Sequence, residues 1–421
     1  MRRCLLTSAP FFAFAILLTV CIADDTAPPQ PVAATQATTK PATQPVVKSW
    51  EEMKDVRVPL PSEFASIFSF GYLNDIMPKT EEEFEKLLVK LKEGGFNVIH
   101  CAYTDWRLEL CRKHGVKMMI DLLAPPYRFF TNRENVEALC IKLRGDEAVW
   151  GYNLWNDKFG SRGEHGPGLN QRVVRIRTWD PTHPTFVGTY LHIGMGAVTD
   201  ADAIGYYDYH WSRGRQKHFP YLMQYRHWAV QRRAIFCRWV AVKTAKSGEE
   251  IYRRNLFTIN TSIACGLKGA LWFLGQDMMA RDGWSAAGQA VCRVNHEVMP
   301  LKKLIMKIGN PVDVYSTVIP IKTDDKPDPV NKLHGFPKDF WLQRDSGHFI
   351  LGIYKDAEKR DYAFIASHDH TAAHDVTLAA SKPVKVEMFD REQGKWRPVE
   401  VKDGKFTVHL EISGGELLRF E

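Results

Sequence analysis

The 421-residue chain has little one-sided charge: 56 Lys and Arg stand against 49 Asp and Glu, a net +7. A balance this mild, with charges this scattered, leaves no nucleic-acid footprint. Beyond the extreme N-terminus it has no uninterrupted apolar run long enough to span a bilayer, which excludes a polytopic membrane protein. It has no P-loop, and the first predicted strand is followed by Leu73-Asn74-Asp75 rather than a Gly-rich phosphate turn. Gly194-Met-Gly196 is only a partial match and reads as a loop. None of the eight Cys forms a C-x-x-C pair, so neither a zinc site nor a dithiol redox site is expected. Aromatic residues are what the chain has: 12 Trp, 14 Tyr and 23 Phe, within a composition 45% hydrophobic. A wholly disordered chain is poorer in these, so a real core is present. The length fits one large domain with a smaller one.

The N-terminus reads as an address. Met1-Arg2-Arg3 is basic, the stretch from Pro10 to Val20 is apolar, and Cys21-Ile22-Ala23 supplies small residues at cleavage spacing. Residues 1–23 are therefore expected to be a signal peptide, with an uncleaved anchor or a lipid on Cys21 as rivals. Val20 stands before Cys21 where a lipoprotein signal wants a small residue. Residues 24–48, rich in Pro, Thr and Ala, carry no apolar periodicity and read as a disordered linker. The expected location is secreted, periplasmic or cell-surface, with no integral span after signal removal. Export places the later cysteines in an oxidising compartment. Cys101 and Cys237 lie in predicted strands and read as buried thiols, while Cys111 with Cys140, or Cys265 with Cys292, are candidate bridges.

From residue 62 to 309, apolar runs alternate with amphipathic stretches. Strands are predicted at 65–72, 97–102, 117–122, 149–155, 185–190, 203–209, 235–242 and 269–274. Helices are predicted from Thr80, with three acids in its first turn, and at 106–114, 132–143, 249–265 and 285–308, each closed by Gly. Eight strand–helix units in this length predict an α/β fold, a (β/α)8 TIM barrel over 49–312. An open doubly wound sheet usually has fewer strands. A connecting segment is expected over 313–346. Over 347–421 short alternating strands broken by Asp403-Gly404 and Gly414-Gly415 predict a small antiparallel β-sandwich. His368-Asp-His370 reads as a turn of that sandwich. The sequon Asn260-Thr-Ser262 falls in a predicted buried helix and is discounted.

In such barrels chemistry sits where strands end. Those ends bring Asn74 and Asp75, Tyr103 and Asp105, Asp121, Trp155-Asn156-Asp157, His192, Tyr207-Asp208-Tyr209-His210-Trp211, Arg238-Trp239, and Trp272 with Gln276 and Asp277. Aromatic faces accept the C–H faces of sugars, while carboxylates and amides hold hydroxyls. The candidate substrate-binding residues are Asp121, Trp155, Asn156, Tyr207, His210, Trp211, Trp239, Trp272, Gln276 and Asp277. For the tryptophans, barrel packing is the alternative role. With no His-x-His on the first strand, no metal and no cofactor are expected.

Several motifs, taken in order, resemble secreted clan A barrel glycoside hydrolases. They are Phe96-Asn-Val-Ile, the run from His114 to Asp121, Val149-Trp-Gly-Tyr-Asn-Leu-Trp-Asn-Asp157, Trp179-Asp-Pro-Thr-His-Pro-Thr185, Gly266-Leu-Lys-Gly-Ala-Leu-Trp272, and the closing Gly-Gly-Glu-Leu-Leu-Arg-Phe. The resemblance spans roughly residues 60–421. It implies an enzyme that cleaves O-glycosidic bonds of an extracellular oligo- or polysaccharide, with Asp157 in the place of the family's Glu acid/base. Asp is one methylene shorter, and Lys158 stands where Pro is common; a lysine paired with an acid lowers its pKa, the wrong direction for a general acid. The family's nucleophile is a Glu ending strand seven, and Ile235-Phe-Cys-Arg-Trp-Val-Ala-Val242 holds no carboxylate. Because glycoside hydrolysis usually takes two carboxyl groups, Asp208 is the candidate partner. The alternative is a catalytically inactive barrel that binds glycans or presents a surface.

Overall fold

The computed structural model of the chain describes residues 58–70, 77–127, 132–155, 166–189, 200–208, 218–242, 247–281, 283–317 and 335–421, with 56 and 333 beside them. Eight parallel strands close into a barrel in sequence order: β1 (Ala65–Ser69), β2 (Val98–Cys101), β3 (Lys117–Asp121), β4 (Val149–Trp155), β5 (Thr185–Thr189), β6 (Ala203–Asp208), β7 (Ile235–Ala241) and β8 (Gly269–Phe273). The first strand pairs with the last, Ala65 against Gly269 and Phe68 against Trp272. Each predicted strand is present, β4 with its predicted bounds and the others slightly shorter than expected.

The helices outside the barrel are α1 (Glu81–Glu93), α2 (Asp105–His114), α3 (Arg133–Leu143), α4 (Gly166–Trp179), α5 (His218–Arg232), α6 (Gly248–Ala264), the single turn α7 (Gly275–Met278), α8 (Ala286–Val298) and α9 (Lys302–Lys307). In α1, Thr80 accepts from the Glu83 N–H, three acids follow, and Phe84, Leu87, Leu88 and Leu91 face the barrel at helical spacing. The predicted 285–308 helix is divided at Pro300 into α8, a 3₁₀ turn and α9. Helices α4 and α5 were not among those expected; neither has an acid in its first turn.

Alternation along each strand sorts side chains between two layers. Ile67, Val98, Met119, Phe186, Cys237 and Leu271 fill the interior. Their neighbours Phe68, Ile99, Met118, Val187, Phe236 and Trp272 face the helices. The interior is crowded by large rings, and Gly205 makes room for them: a Cβ there lies 2.3 Å from Phe186 Cζ. Pairing of β4 with β3 skips Trp150, so Trp150 and Asn153, three apart, both belong to the inner face.

The foot of the barrel holds two buried carboxylates. Asp180 accepts from Tyr152 Oη and pairs with His183 Nδ1, both at 2.7 Å, while His183 Nε2 donates to the Asp146 carbonyl at 2.9 Å. Burial raises the Asp180 carboxyl, but its bonds to His183, Thr182 and Tyr152 outweigh that and hold it below the usual range. Asp202 takes Arg177 at 2.6 Å and the Thr185 hydroxyl at 2.7 Å. Conserving the fold is the natural work of groups at this end. Nearby, the buried Lys268 donates to the carbonyls of Ile305, at 2.5 Å, and Gly309.

After α9 come the strands β11 (Asp313–Ser316), β12 (Leu342–Ser346), β13 (Phe349–Lys355), β14 (Asp361–Ser367), β15 (His374–Ala380), β16 (Val386–Asp390), β17 (Lys395–Val399), β18 (Lys405–Leu410) and β19 (Gly415–Phe420); a ribbon of β9 (Met279–Ala280) and β10 (Gly283–Trp284) precedes them. They form the sandwich, with sheet orders β11-β13-β14-β19-β16-β17 and β12-β15-β18. Two strands thus arise within the stretch expected as a connection. The sheets enclose Leu351, Ile365, Leu378, Val408 and Leu418. The larger sheet's other face packs on α6, so closely that a Cβ on Gly352 lies 2.0 Å from the Ala264 carbonyl. Asn260 Nδ2 donates to the Ser413 carbonyl at 2.9 Å across this contact, which buries the sequon. His368 and His370 also meet the barrel helices, through Phe219 and Phe257.

All six described cysteines are free and buried. This corrects the expected bridges: Cys111 with Cys140 and Cys265 with Cys292 do not join. Each is turned into the packed layer of its own element, where burial pushes its thiol pKa up.

Candidate functional site

At the C-terminal ends of β1 to β4, four inward positions are polar: Ser69, His100, Asp121 and Asn153, all buried. They touch in sequence. Ser69 Oγ lies 2.9 Å from His100 Nδ1, Asn153 Nδ2 lies 3.0 Å from His100 Nε2, and the same amide nitrogen donates to Asp121 Oδ1 at 3.2 Å. Asp121 Oδ1 also accepts from the Leu123 N–H at 3.0 Å. The opposite wall is aromatic. Tyr207 stacks on Trp239, and Phe273, half-buried at the end of β8, sets its edge against both at 5.7 and 5.6 Å. The two walls meet where Trp239 stands edge-on to His100, ring centres 6.1 Å apart. One end of the barrel therefore joins a hydrogen-bonding wall to an apolar, flat one, the pairing that a ring bearing hydroxyls requires.

No protein-family model matches the chain, and no curated protein matches it. Among solved structures it is similar to an endo-β-1,4-mannanase from Thermotoga petrophila, at 11% identity over 85% of this chain and 95% of that one, with a TM-score of 0.43. It is similar to a GH51 arabinofuranosidase from Xanthomonas axonopodis pv. citri, at 9% identity over 87% and 98%, with a TM-score of 0.47. A third is a family 30 subfamily 8 xylanase from Clostridium acetobutylicum, at 9% identity over 87% and 97%, with a TM-score of 0.40. These neighbours are glycoside hydrolases, the class the ordered motifs resemble.

The sequence-predicted residues fall in several places. Asp121, Tyr207 and Trp239 lie in the two walls. Asp157, Asn156, His210 and Trp211 lie outside the described residues, as do Asn74, Asp75, Tyr209 and His192. Asp208 ends β6 in register with Val240 of β7; its side chain lies outside the description.

Trp272 is not part of the mouth, which corrects the expectation. It alternates with the inward Leu271, packs in the helix layer, and donates its Nε1 hydrogen to Ser66 Oγ at 3.0 Å. Trp155 is likewise displaced. A register shift after Asn153 pairs it with the outward Val187, and it packs half-buried on the outer cluster. Gln276 and Asp277 lie on α7, beyond β8. Gln276 lines a cavity of about 320 Å³ with Phe70, Leu87, Lys90 and Met279. Asp277 accepts from Ser285 Oγ at 2.6 Å through its carbonyl. Tyr103 and Asp105 belong to a different groove, between α2 and α3, where Asp105 bonds Tyr103 and Lys142.

Ser69, His100 and Asn153 were missed. For Ser69 and His100 the signal is a period of two, a polar residue at the last inward position of β1 and β2 as of β3. Asn153 stands three after the inward Trp150, because β4 skips a residue in its pairing with β3, and no alternation announces it. Among the described residues no group of three or more His, Cys, Asp or Glu is arranged to hold a metal.

Proposed function

We propose that the barrel mouth is a carbohydrate site, and that the chain is an exported glycoside hydrolase-like enzyme cleaving O-glycosidic bonds of an extracellular oligo- or polysaccharide. The observation that carries this reading is the meeting of the Asn153–Asp121 wall with the Tyr207–Trp239–Phe273 wall at the C-terminal end of a closed barrel. The roles this reading assigns are Asp157 as general acid/base and Asp208 as its partner: Asp157 follows β4 in the sequence and Asp208 is the last residue of β6, and chemistry in such barrels sits at these strand ends. A separation near 5 Å between their carboxyl groups fits a retaining reaction, and one of roughly 6.5–9.5 Å an inverting one.

One observation favours a second reading, an inactive barrel that binds glycans: β7, Ile235–Ala241, carries no carboxylate. Hydrolysis of an aryl-glycoside and polysaccharide panel by wild type, Asp157→Asn and Asp208→Asn separates the two. Turnover lost in a folded variant assigns that carboxylate. Binding without turnover on any substrate assigns the inactive barrel.

A further inference from the structure

The partners at the barrel mouth determine where its hydrogens lie. As a carboxylate, Asp121 only accepts, so the 3.2 Å contact from Asn153 is made by the amide nitrogen. That nitrogen also lies 3.0 Å from His100 Nε2, which therefore accepts. The ring proton is left on Nδ1, donated to Ser69 Oγ at 2.9 Å. Asn153 has then used both amide hydrogens. Its Oδ1 is buried with no partner among the described residues. A flipped amide would set that oxygen against Asp121 Oδ1, so the two acceptors, His100 Nε2 and Asp121 Oδ1, hold one orientation between them.

We propose that His100 is a positioning residue that sets the hydrogen-bond polarity of this site. By accepting from Asn153 it locks the amide, and among the described residues the point formed by Asn153 and Asp121 offers acceptors and no donor. The group that fits there is a donor, the hydroxyl of a neutral sugar. A carboxylate or sulfate would meet a carboxylate and an unpaired carbonyl, with no donor for it among the described residues. This rests on the carbohydrate reading above and narrows it to a neutral ring at this position.

Two measurements test it separately. Nitrogen-15 shifts of the histidine rings in the wild-type protein are expected to show His100 protonated at Nδ1 and bare at Nε2. A proton on Nε2 overturns the lock, whatever the protein binds. Titration calorimetry then compares D-glucose with D-glucuronate, which differ only at C6. Wild type is expected to prefer glucose by about tenfold or more, because a site built for hydroxyl donors leaves buried groups unpaired when the donor is replaced. His100→Phe, which removes one of the two acceptors and leaves only Asp121, is expected to narrow that preference severalfold, and His100→Gln, whose carbonyl reaches toward Asn153, to restore it. Preference of the wild type for glucuronate overturns the polarity. Binding of neither sugar, with the proton found on Nδ1, overturns the ligand assignment at this point while the lock stands; the carbohydrate reading itself falls only with the glycoside and polysaccharide panel. If His100→Phe does not fold, the two wild-type measurements decide.

Discussion

Trp239 and Tyr207 lie face to face, ring centres 4.6 Å apart and planes 13° apart, in register on neighbouring strands β7 and β6. Both are sealed from solvent, and Trp239 also touches the edges of His100 and Phe273. The stack is therefore at once barrel core and the backing of the site.

Truncating Trp239 should cost stability before anything else. Trp239→Ala leaves a large cavity inside a closed barrel that cannot collapse around it, and a loss of about 3–5 kcal/mol is expected. Urea unfolding of the variant beside wild type measures it. An unchanged midpoint would mean that the ring is not the packing element its burial makes it.

Gly205 is the reciprocal case. Gly205→Ala places a methyl 2.3 Å from Phe186 Cζ and 2.9 Å from Cε2. Overpacking of this kind is expected to cost about 1–3 kcal/mol, and Phe186→Leu in the same chain should recover part of it. Thermal unfolding of the two single variants and the double variant gives the coupling directly.

Lys268 predicts a pH dependence. Burial pushes its ammonium down to about 7. Above that value the folded chain has released a proton that the unfolded chain keeps, so stability rises with pH, by up to about 1.4 kcal/mol per pH unit, until the ordinary lysine range near 10 is reached. Lys268→Met removes the titrating group. The difference in unfolding free energy between wild type and variant, followed from pH 6 to 10, should carry that slope; a flat difference would contradict it.

Asp180 predicts the opposite limb. Its carboxyl is held below the ordinary range despite burial, by His183, Thr182 and Tyr152. The stability it contributes is fully present above the ordinary carboxyl range and is lost as pH falls through its lowered value. Asp180→Asn should thus be destabilised at neutral pH and lose less on acidification. Acid titration of the two proteins by circular dichroism compares them.

The six buried thiols should be chemically silent. Burial raises Cys101, Cys265 and Cys292 each to about 12, so little thiolate forms at neutral pH. Ellman's reagent is expected to find none of the six in buffer and all six in guanidinium.

The barrel was legible because each strand is a short apolar run and each predicted helix has a cap or a closing glycine. Helix α1, with Thr80 before three glutamates, carries every such signal. Helices α4 and α5 carry neither first-turn acids nor a strong amphipathic stripe, and they went unread. The site was half legible. Asp121 and Trp239 follow from strand ends, but which face a strand-end residue takes depends on register, and Trp272 was assigned to the wrong face for that reason. Trp155 turned outward through a register shift that no pattern in Trp-Gly-Tyr-Asn-Leu-Trp announces. Cysteine pairing failed on the same ground: helix spacing shows which residues share an element, not which elements face each other.

The pairing of β1 with β8 has a consequence in time. A ribosome adding roughly 5–20 residues each second delivers β8 on the order of ten seconds or more after β1. Throughout that interval Ala-Ser-Ile-Phe-Ser, uncharged and largely apolar, has only β2 beside it and presents its other edge unpaired. The seam of the barrel is the hazard of its synthesis: the oldest strand must be kept from foreign partners until the youngest arrives.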